Sequence, residues 1–507
     1  MQGSKKPEKV AVVFEDRETT FRELDRRASR VANGLIEAGL KPQSRVAVLD
    51  KNSDTFFEIL FGAAKANCVL VAVNWRLAPP EVSYVINDST AEILFVGEEF
   101  FQTIEKVRGQ LKSVNKIVAL GGANAGWEAY EQWRDRQGEV DPDLKIEAGD
   151  VVLQMYTSGT TGHPKGAQLT NDNLLCLLPT SVAEWGEWSD EDVNMVCMPL
   201  FHIGGSGYAL VGFFCGIKSV LLREANCESI LKLIPEHKVT KAFLVPALLL
   251  FLLQTPDVEE ADLSSLDLIF YGAAPIPLDL LRKSIETFRC GFGQVYGLTE
   301  TTGAITYLPP EFHDPSGNPR MLSCGKPHGK VELRIVDAAG NPLPAGKVGE
   351  IICRSSQNMK GYWNLPEETQ KAIRGEWCYT GDAGYLDEEG YLYIQDRVKD
   401  MIISGGENIY PAEVESVLFG HPSVADVAVI GVPDDKWGEA VKAIVVKKPG
   451  REITAEEIIA YARERIAHYK TPKSVDFIEA LPRNPSGKIL KRELRKPYWE
   501  GRTRQVN

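Results

Sequence analysis

The sequence predicts an α/β protein with a large N-terminal domain, made of two α/β subdomains and a small β-rich subdomain, followed by a small, mobile α+β C-terminal domain. Helical and strand patterns alternate almost from the start of the chain, which is the signature of α/β units with largely parallel sheets. From about Gly325 the texture changes to short strands separated by Gly and Pro turns. At 507 residues the chain also exceeds the roughly 250–300 residues at which single hydrophobic cores stop growing.

Taken in order, Thr20-Phe21-Arg22-Glu23 is a capping box, because the Thr and Glu side chains satisfy exposed backbone donors. Leu24, Ala28, Val31, Leu35 and Ile36 follow at helical spacing, and Gly39 suits the stop. Arg45–Leu49 reads as a strand, as do the runs Ala91–Val96, Lys116–Leu120, Val151–Tyr156, Val193–Met198, Lys218–Leu222, Lys241–Val245 and Leu266–Tyr271. Lys330–Val336, Gly349–Arg354 and Gly390–Gln395 give the β-rich section. Beyond it, Pro411–Leu418 predicts a helix with Pro at the tolerated first position. Val424–Gly431 and Ala440–Val446 predict strands, and Thr454-Ala455-Glu456-Glu457 is a second capping box with Ile453 and Ile458 as its staple. The expected organisation is therefore residues 1–395 as the N-terminal domain, 396–400 as a hinge and 401–507 as the C-terminal domain. The join Asp396–Asp400 is charged, which fits an exposed hinge better than a core strand.

Composition narrows the function classes. Hydrophobic residues make up 44% and charged residues 25%, as in ordinary globular domains. The formal charge of −13 disfavours non-specific nucleic-acid binding. Nine Cys without a C-x-x-C pair fit a reducing cytoplasm better than a disulfide framework or a zinc site. Met1–Glu18 lacks the apolar core of a signal peptide. The apolar run Ala242–Leu253 is too short to span a bilayer, and Pro199–Leu222 is broken by His202, Lys218 and several glycines. No transmembrane segment is expected. The basic tail with Lys491, Arg492, Arg495, Lys496 and Arg502 leaves peripheral contact with an anionic membrane open, and nothing argues against a homodimer.

The most informative segment is Tyr156-Thr157-Ser158-Gly159-Thr160-Thr161-Gly162-His163-Pro164-Lys165-Gly166. Its glycines let the backbone turn tightly and approach a ligand. Its hydroxyls and backbone N–H groups offer donors to phosphate oxygens, and Lys165 adds a positive charge. It is not a Walker loop, because Lys165-Gly166 leads into apolar residues rather than Lys-Ser/Thr opening a helix. The string resembles the signature of the adenylate-forming superfamily, which includes acyl-CoA and aryl-CoA synthetases. The resemblance implies that Thr157, Ser158, Gly159, Thr160, Thr161 and Lys165 grip the β- and γ-phosphates of ATP.

Further motifs follow in the family's order over nearly the whole chain. Tyr271-Gly272-Ala273-Ala274-Pro275 ends an apolar strand, and its small residues Gly272, Ala273 and Ala274 let a flat ring lie against the backbone. In Tyr296-Gly297-Leu298-Thr299-Glu300 a tyrosine can stack on a base, a threonine can donate to a phosphate, and a carboxylate can hold Mg²⁺. Alone, each would pass for a turn or a solvated helix start. By resemblance, Gly272–Ala274 line the adenine and the acyl tunnel, Tyr296, Gly297 and Thr299 contact the nucleotide, and Glu300 is the Mg²⁺ ligand. The resemblance further implies that Asp382 in Tyr379-Thr380-Gly381-Asp382 accepts from the ribose hydroxyls and that Arg397 contacts the ribose region. It implies that Lys399 is the hinge residue, where many relatives have Asp, and that Ser404, Gly405 and Gly406 flank the path of the pantetheine arm. It also implies that Lys488 in Pro485-Ser486-Gly487-Lys488-Ile489 is the mobile lysine that reaches the α-phosphate. Trp437, with Tyr469, Lys473 and Arg76, is implied in CoA binding.

The resemblance implies an ATP-dependent acyl-CoA synthetase with ATP, Mg²⁺ and CoA as cofactors. A carboxylic acid is adenylated with loss of pyrophosphate, the small domain then rotates about Lys399, and the CoA thiol displaces AMP. The segment Pro199-Leu200-Phe201-His202-Ile203-Gly204-Gly205-Ser206-Gly207 corresponds to the acyl-pocket wall. Amino-acid-activating relatives carry Asp where His202 stands, so a neutral or apolar acid is expected: a fatty acid first, an aromatic acid next. His202 is placed to gate the pocket or orient the carboxylate, and Trp185 and Trp188 to cap a tunnel. Three alternatives remain open: a ligase loading a carrier protein in trans, a luciferase-like oxygenase, and a non-catalytic nucleotide-binding regulator.

Overall fold

The computed structural model describes residues 2–122, 126–157, 164–256, 258–397, 400–404, 407–484 and 487–500, without the side chains of Arg397 and Asn408. Two large sheets dominate. The first runs, across its width, Lys326–Pro327, Gly303–Leu308, Gly291–Leu298, Leu268–Gly272, Lys241–Leu244, Val193–Val196, Lys218–Leu221, Val10–Phe14 and Arg17–Thr20. The second runs Gly361–Tyr362, Lys165–Thr170, Val151–Thr157, Val69–Ala72, Arg45–Leu49, Ile93–Gly97, Lys116–Leu120 and Glu128–Ala129. Both are parallel through the middle and antiparallel at an edge, as helical crossovers require.

The two sheets share one core. The helices Phe21–Glu37 and Asp54–Lys65 contribute Val31, Leu35, Phe57 and Ile59 to it. The capping box at Thr20 forms as the sequence predicts: Glu23 N–H donates to Thr20 Oγ1 at 3.2 Å and Thr20 N–H to Glu23 Oε2 at 2.9 Å. Glu58, buried in this core, is satisfied by Arg27 at 3.1 Å, by Arg134 at 2.8 Å and by the Tyr130 hydroxyl at 2.8 Å. Without those partners a charge there would be costly.

A smaller antiparallel sheet carries Glu332–Val336, Gly349–Arg354, Trp377–Leu386, Ile373–Arg374 and Leu392–Arg397. The C-terminal sheet pairs Glu407–Ile409, Ile402–Ser404, Gly438–Lys447 and Val424–Asp434, with Ser474–Phe477 parallel to Gly438–Lys447. Ile453 and Ile458 are both buried in its core, and the second capping box at Thr454 forms.

Val10–Phe14, an unbroken apolar run, is a sheet strand buried by pairing with Lys218–Leu221. One expectation needs correction. The join at Asp396–Asp400 is not simply exposed. The Asp396 carboxylate accepts from Ala412 N–H at 3.0 Å and lies 3.4 Å from Lys491, while Asp400 pairs with Arg495 at 2.7 Å. Both carboxylates are buried, and the helix Lys491–Trp499 supplies the countercharge. Lys399 lies outside the described residues. Among the described residues no helix is long and apolar enough to cross a membrane.

Candidate active site

The site is built at the ends of strands from both large sheets. Val151–Thr157 leads into the glycine–hydroxyl loop and Lys165–Thr170 leads out, with Thr157 and Lys165 as Cα partners, so the loop is the tip of a hairpin. Ser158, Gly159, Thr160 and Thr161 lie outside the described residues. Lys165 is ion-paired to Glu368 of the helix Pro366–Ala372, and its Nζ sits 5.2 Å from the centroid of the Tyr362 ring.

Glu300 sits opposite this hairpin, in the turn Thr299–Thr301 that ends the strand Gly291–Leu298. Its Oε1 accepts from the Tyr362 hydroxyl at 2.7 Å and from Thr157 Oγ1 at 3.4 Å. Its backbone carbonyl accepts from Met359 N–H at 2.8 Å. A carboxylate so held is fixed in direction. Among the described residues no group of three or more His, Cys, Asp or Glu is placed to hold a metal. A protein-only cage is therefore absent from them. One rigid carboxylate fits Mg²⁺ that takes its remaining ligands from nucleotide phosphates and water. The sequence reading missed Tyr362 and Glu368. Tyr362 lies between Gly361 at φ +147 and Asn364 at φ +53, and only those punctuating residues marked it.

Two glycines are needed for close backbone approach rather than flexibility. A Cβ added at Gly272 would lie 2.1 Å from Val295 O, and one at Gly297 would lie 1.8 Å from Gly303 O. Ala273 follows at φ +66, so the chain bends sharply at the strand end. Gly297→Ala drives a Cβ into backbone that has no flexible side chain to yield. Overpacking of this kind costs about 1–3 kcal/mol; chemical denaturation should place the variant at the upper end of that range, with its substrate-dependent pyrophosphate exchange reduced.

Tyr296 and Asp382 come from different sheets, and the Tyr296 hydroxyl donates to Asp382 Oδ2 at 2.8 Å. Asp382 is buried, its N–H is received by Thr380 Oγ1 at 3.1 Å, and it is the Cα partner of Arg397.

His202 immediately precedes the helix Ile203–Cys215. Its Nε2 is buried without a hydrogen-bond partner among the described residues, and its ring lies 4.5 Å from that of Phe201. Burial first, and the Arg76 charge second, push its pKa from 6.5 down to about 4. The imidazole is therefore neutral at physiological pH. Unfolded, it takes up a proton near pH 6.5; folded, only near pH 4. Its contribution to stability is full above pH 6.5 and falls as the pH drops toward 4. His313, pushed to about 4 by burial, acts in the same direction. Denaturation curves at pH 7 and 5 should show a smaller acid loss in His202→Asn than in the parent.

Lys488 belongs to a tight loop of the C-terminal region. Lys488 N–H donates to Asn484 Oδ1 at 2.8 Å, Asn484 N–H donates to Lys488 O at 2.7 Å, and Arg483 donates to Gly487 O at 2.7 Å while pairing with Asp426 at 2.6 Å. The loop is docked on the large domain: a Cβ added at Gly487 would lie 3.1 Å from Ala247 Cβ and 3.4 Å from Val245 Cγ2. Val245 follows Leu244, the Cα partner of Tyr271. The Lys488 loop and the Gly272–Ala274 bend thus share one end of the first sheet.

On the C-terminal sheet Ser404 pairs with Gly438, which brings it beside Trp437. Trp437 and Tyr469 are exposed. Lys473 N–H is tied to Val441 O at 2.8 Å. Gly405 and Gly406 lie outside the described residues. Trp185 and Trp188 do not form an outer cap; they pack inward on Phe270, with ring centroids 5.6 and 6.0 Å away.

Comparison with known proteins bears directly on this arrangement. Residues 1–363 match the family described as AMP-binding enzyme, and residues 413–488 match the AMP-binding enzyme C-terminal domain. The chain is 41% identical over 505 residues to the fatty acid–[acyl-carrier-protein] ligase ScoC of Streptomyces coeruleorubidus, covering 99% of this chain and 96% of that protein. It is 38% identical over 493 residues to a feruloyl-CoA synthase of Amycolatopsis sp, covering 97% and 96% respectively. Among solved structures, the anthranilate CoA ligase AuaEII in complex with anthranoyl-AMP superposes with a TM-score of 0.90 at 30% identity, covering 97% of this chain and 94% of that one.

Proposed function

The chain belongs to the AMP-binding enzyme family and is an AMP-forming acid–thiol ligase, and from that premise we propose how its own residues divide the two half-reactions. In the first, the acid carboxylate attacks the α-phosphorus of ATP and pyrophosphate leaves. In the second, the CoA thiol attacks the acyl carbon and AMP leaves. Charge spreads over phosphoryl oxygens in the first step, so catalysis is positioning plus electrostatics.

Thr157, Ser158, Gly159, Thr160, Thr161 and Lys165 hold the β- and γ-phosphates, with Lys165 exchanging Glu368 for phosphate. Glu300 holds Mg²⁺, which would supply charge neutralisation at the phosphates. Thr299 donates to a phosphate oxygen, and Tyr362 and Thr157 keep the Glu300 carboxylate aimed. Tyr296 and the Gly272–Ala274 bend receive the adenine; Asp382 and Arg397 receive the ribose. His202, neutral as it stands, faces the acyl group without adding charge. Lys488 donates to the α-phosphate. Residues 401–507 move about Lys399, within the hinge 396–400, relative to residues 1–395. Ser404, Gly405, Gly406 and Trp437 then meet the pantetheine arm. The nine free thiols suit a reducing cytoplasm.

The observation that supports this division best is the Lys488 loop resting on Val245 and Ala247, at the sheet end where Glu300, Tyr362 and Thr157 converge. CoA-dependent AMP release with ATP, Mg²⁺ and a panel of acids tests it. Similarity to a carrier-protein ligase favours one second reading, in which the thiol is carrier phosphopantetheine. Pyrophosphate exchange with no thioester on free CoA, but thioester on a holo-carrier, would decide for it.

A further inference from the structure

We propose that the acyl pocket is short and closed, that Phe270 sets its depth, and that the acid it takes is a compact aryl acid rather than a long-chain fatty acid. This rests on the ligase reading above. Gly272 and Phe270 lie on the same face of their strand because side chains alternate, and two residues of strand separate them by about 7 Å. The pocket that begins at the Gly272 bend therefore meets the Phe270 ring about that far down.

Phe270 is not a lone side chain that could swing aside. Its ring contacts Trp185 at 5.6 Å, Trp188 at 6.0 Å in a nearly parallel stack of 8°, Tyr208 at 5.9 Å and Tyr307 at 6.3 Å between centroids. Phe243, its Cα partner on the next strand, packs on Tyr208 at 5.8 Å. The neighbour on the other side is Gly293, and the Tyr307 ring fills its space, with Cε2 2.8 Å from where a Cβ would stand.

Below this layer the wall is charged. Lys241 is buried, pairs with Asp267 at 2.7 Å, and lies 5.3 Å from the Trp188 centroid. A fatty chain longer than the pocket would have to pass five packed rings and then the buried Lys241 side chain, whose ammonium is paired with the exposed Asp267.

The helix Ile203–Cys215 presents Gly204 and Gly207. Among the described residues outside the helix's own backbone, a Cβ added at Gly204 would lie 3.2 Å from the Phe243 ring and one at Gly207 3.2 Å from the Ile203 side chain, so the two glycines let those side chains close on the helix. An aromatic floor suits a planar ring, which packs edge-to-face or offset on other rings. The Tyr208 and Tyr307 hydroxyls and the Trp185 and Trp188 indole N–H groups are buried without hydrogen-bond partners among the described residues. Such donors are unsuited to the methyl end of a fatty chain.

The test is pyrophosphate exchange and CoA-dependent AMP release on benzoic, hydroxybenzoic, cinnamic, hydroxycinnamic, hexanoic and palmitic acids, with the full chain and with Phe270→Ala and Trp188→Ala. The parent is expected to favour an aryl acid over palmitic acid by at least about tenfold in kcat/KM, the discrimination that a methylene-scale mismatch typically gives. Phe270→Ala is expected to narrow that ratio by a similar factor, chiefly through KM for the long chain. Should that variant fail to fold, Trp188→Ala and the parent profile carry the test. Preference of the parent for palmitic or hexanoic acid over every aryl acid would overturn the inference and leave the ligase reading standing. Absence of exchange with every acid, and with ATP bound, would overturn the ligase reading itself and this inference with it.

Discussion

Lys488→Ala should lose at least about 10²–10³-fold in acid-dependent pyrophosphate exchange, the scale on which removing one transition-state donor acts in comparable chemistry. The loss should be much smaller for thioester formation from supplied acyl-AMP and CoA. The asymmetry follows from where the loop sits. Lys488 is carried by the C-terminal region, in a loop tied by Asn484 and Arg483 and resting on Val245 and Ala247. In the proposed division of the two half-reactions, domain alternation removes it before the thiol attacks. Single-turnover measurement of each half-reaction separates the two. Equal losses in both would mean that Lys488 holds the loop in shape rather than acting on the phosphate. Arg483→Ala is the companion: it loses the 2.6 Å pair with Asp426 and the bond to Gly487 O, so it should weaken adenylation while leaving the Lys488 charge in place.

The second large effect is at Glu300. Glu300→Gln keeps the shape and removes the charge, and should lower adenylation by at least about 10²-fold with a raised Mg²⁺ requirement. Tyr362→Phe isolates the contribution of aim. It leaves the carboxylate and removes the 2.7 Å hydrogen bond to it. Loss of such an outer partner typically costs about 10–100-fold in metal affinity or activity. Calorimetric titration with ATP, with and without Mg²⁺, gives a readout besides turnover. Both variants should bind ATP alone nearly as the parent does and bind Mg²⁺–ATP more weakly. If Tyr362→Phe left Mg²⁺ dependence unchanged while lowering thermal stability, Tyr362 would be a packing residue only.

Much of the protein was legible in one dimension because the relevant physics is local. A capping box needs a hydroxyl and a carboxylate three residues apart, and those at Thr20 and Thr454 formed as read. Strands such as Arg45–Leu49, Lys116–Leu120 and Gly349–Arg354 coincide with their apolar runs. The phosphate-type loop, the Tyr-Gly-Leu-Thr-Glu turn and the lysine after Gly487 are contiguous strings, so residue type and order sufficed to assign the family and its reaction.

Other features rest on partners far away along the chain, and no local pattern reports them. Glu300 is aimed by Tyr362, 62 residues on, and Asp382 meets Tyr296 across 86 residues. Asp396 and Asp400 read as a solvated charge run, yet both are buried because Lys491 and Arg495, each 95 residues later, neutralise them. Phe270 sits in an apolar run that gave no sign of being a pocket floor; that role arises only when Trp185, Trp188, Tyr208 and Tyr307 close around it. The sequence by itself determined the reaction class, through short strings whose chemistry is intrinsic. Only the tertiary structure decided which carboxylate is held rigid, which charges are buried and how deep the acyl pocket runs, because each of these is a sum over atoms that the fold, and not the chain order, brings together.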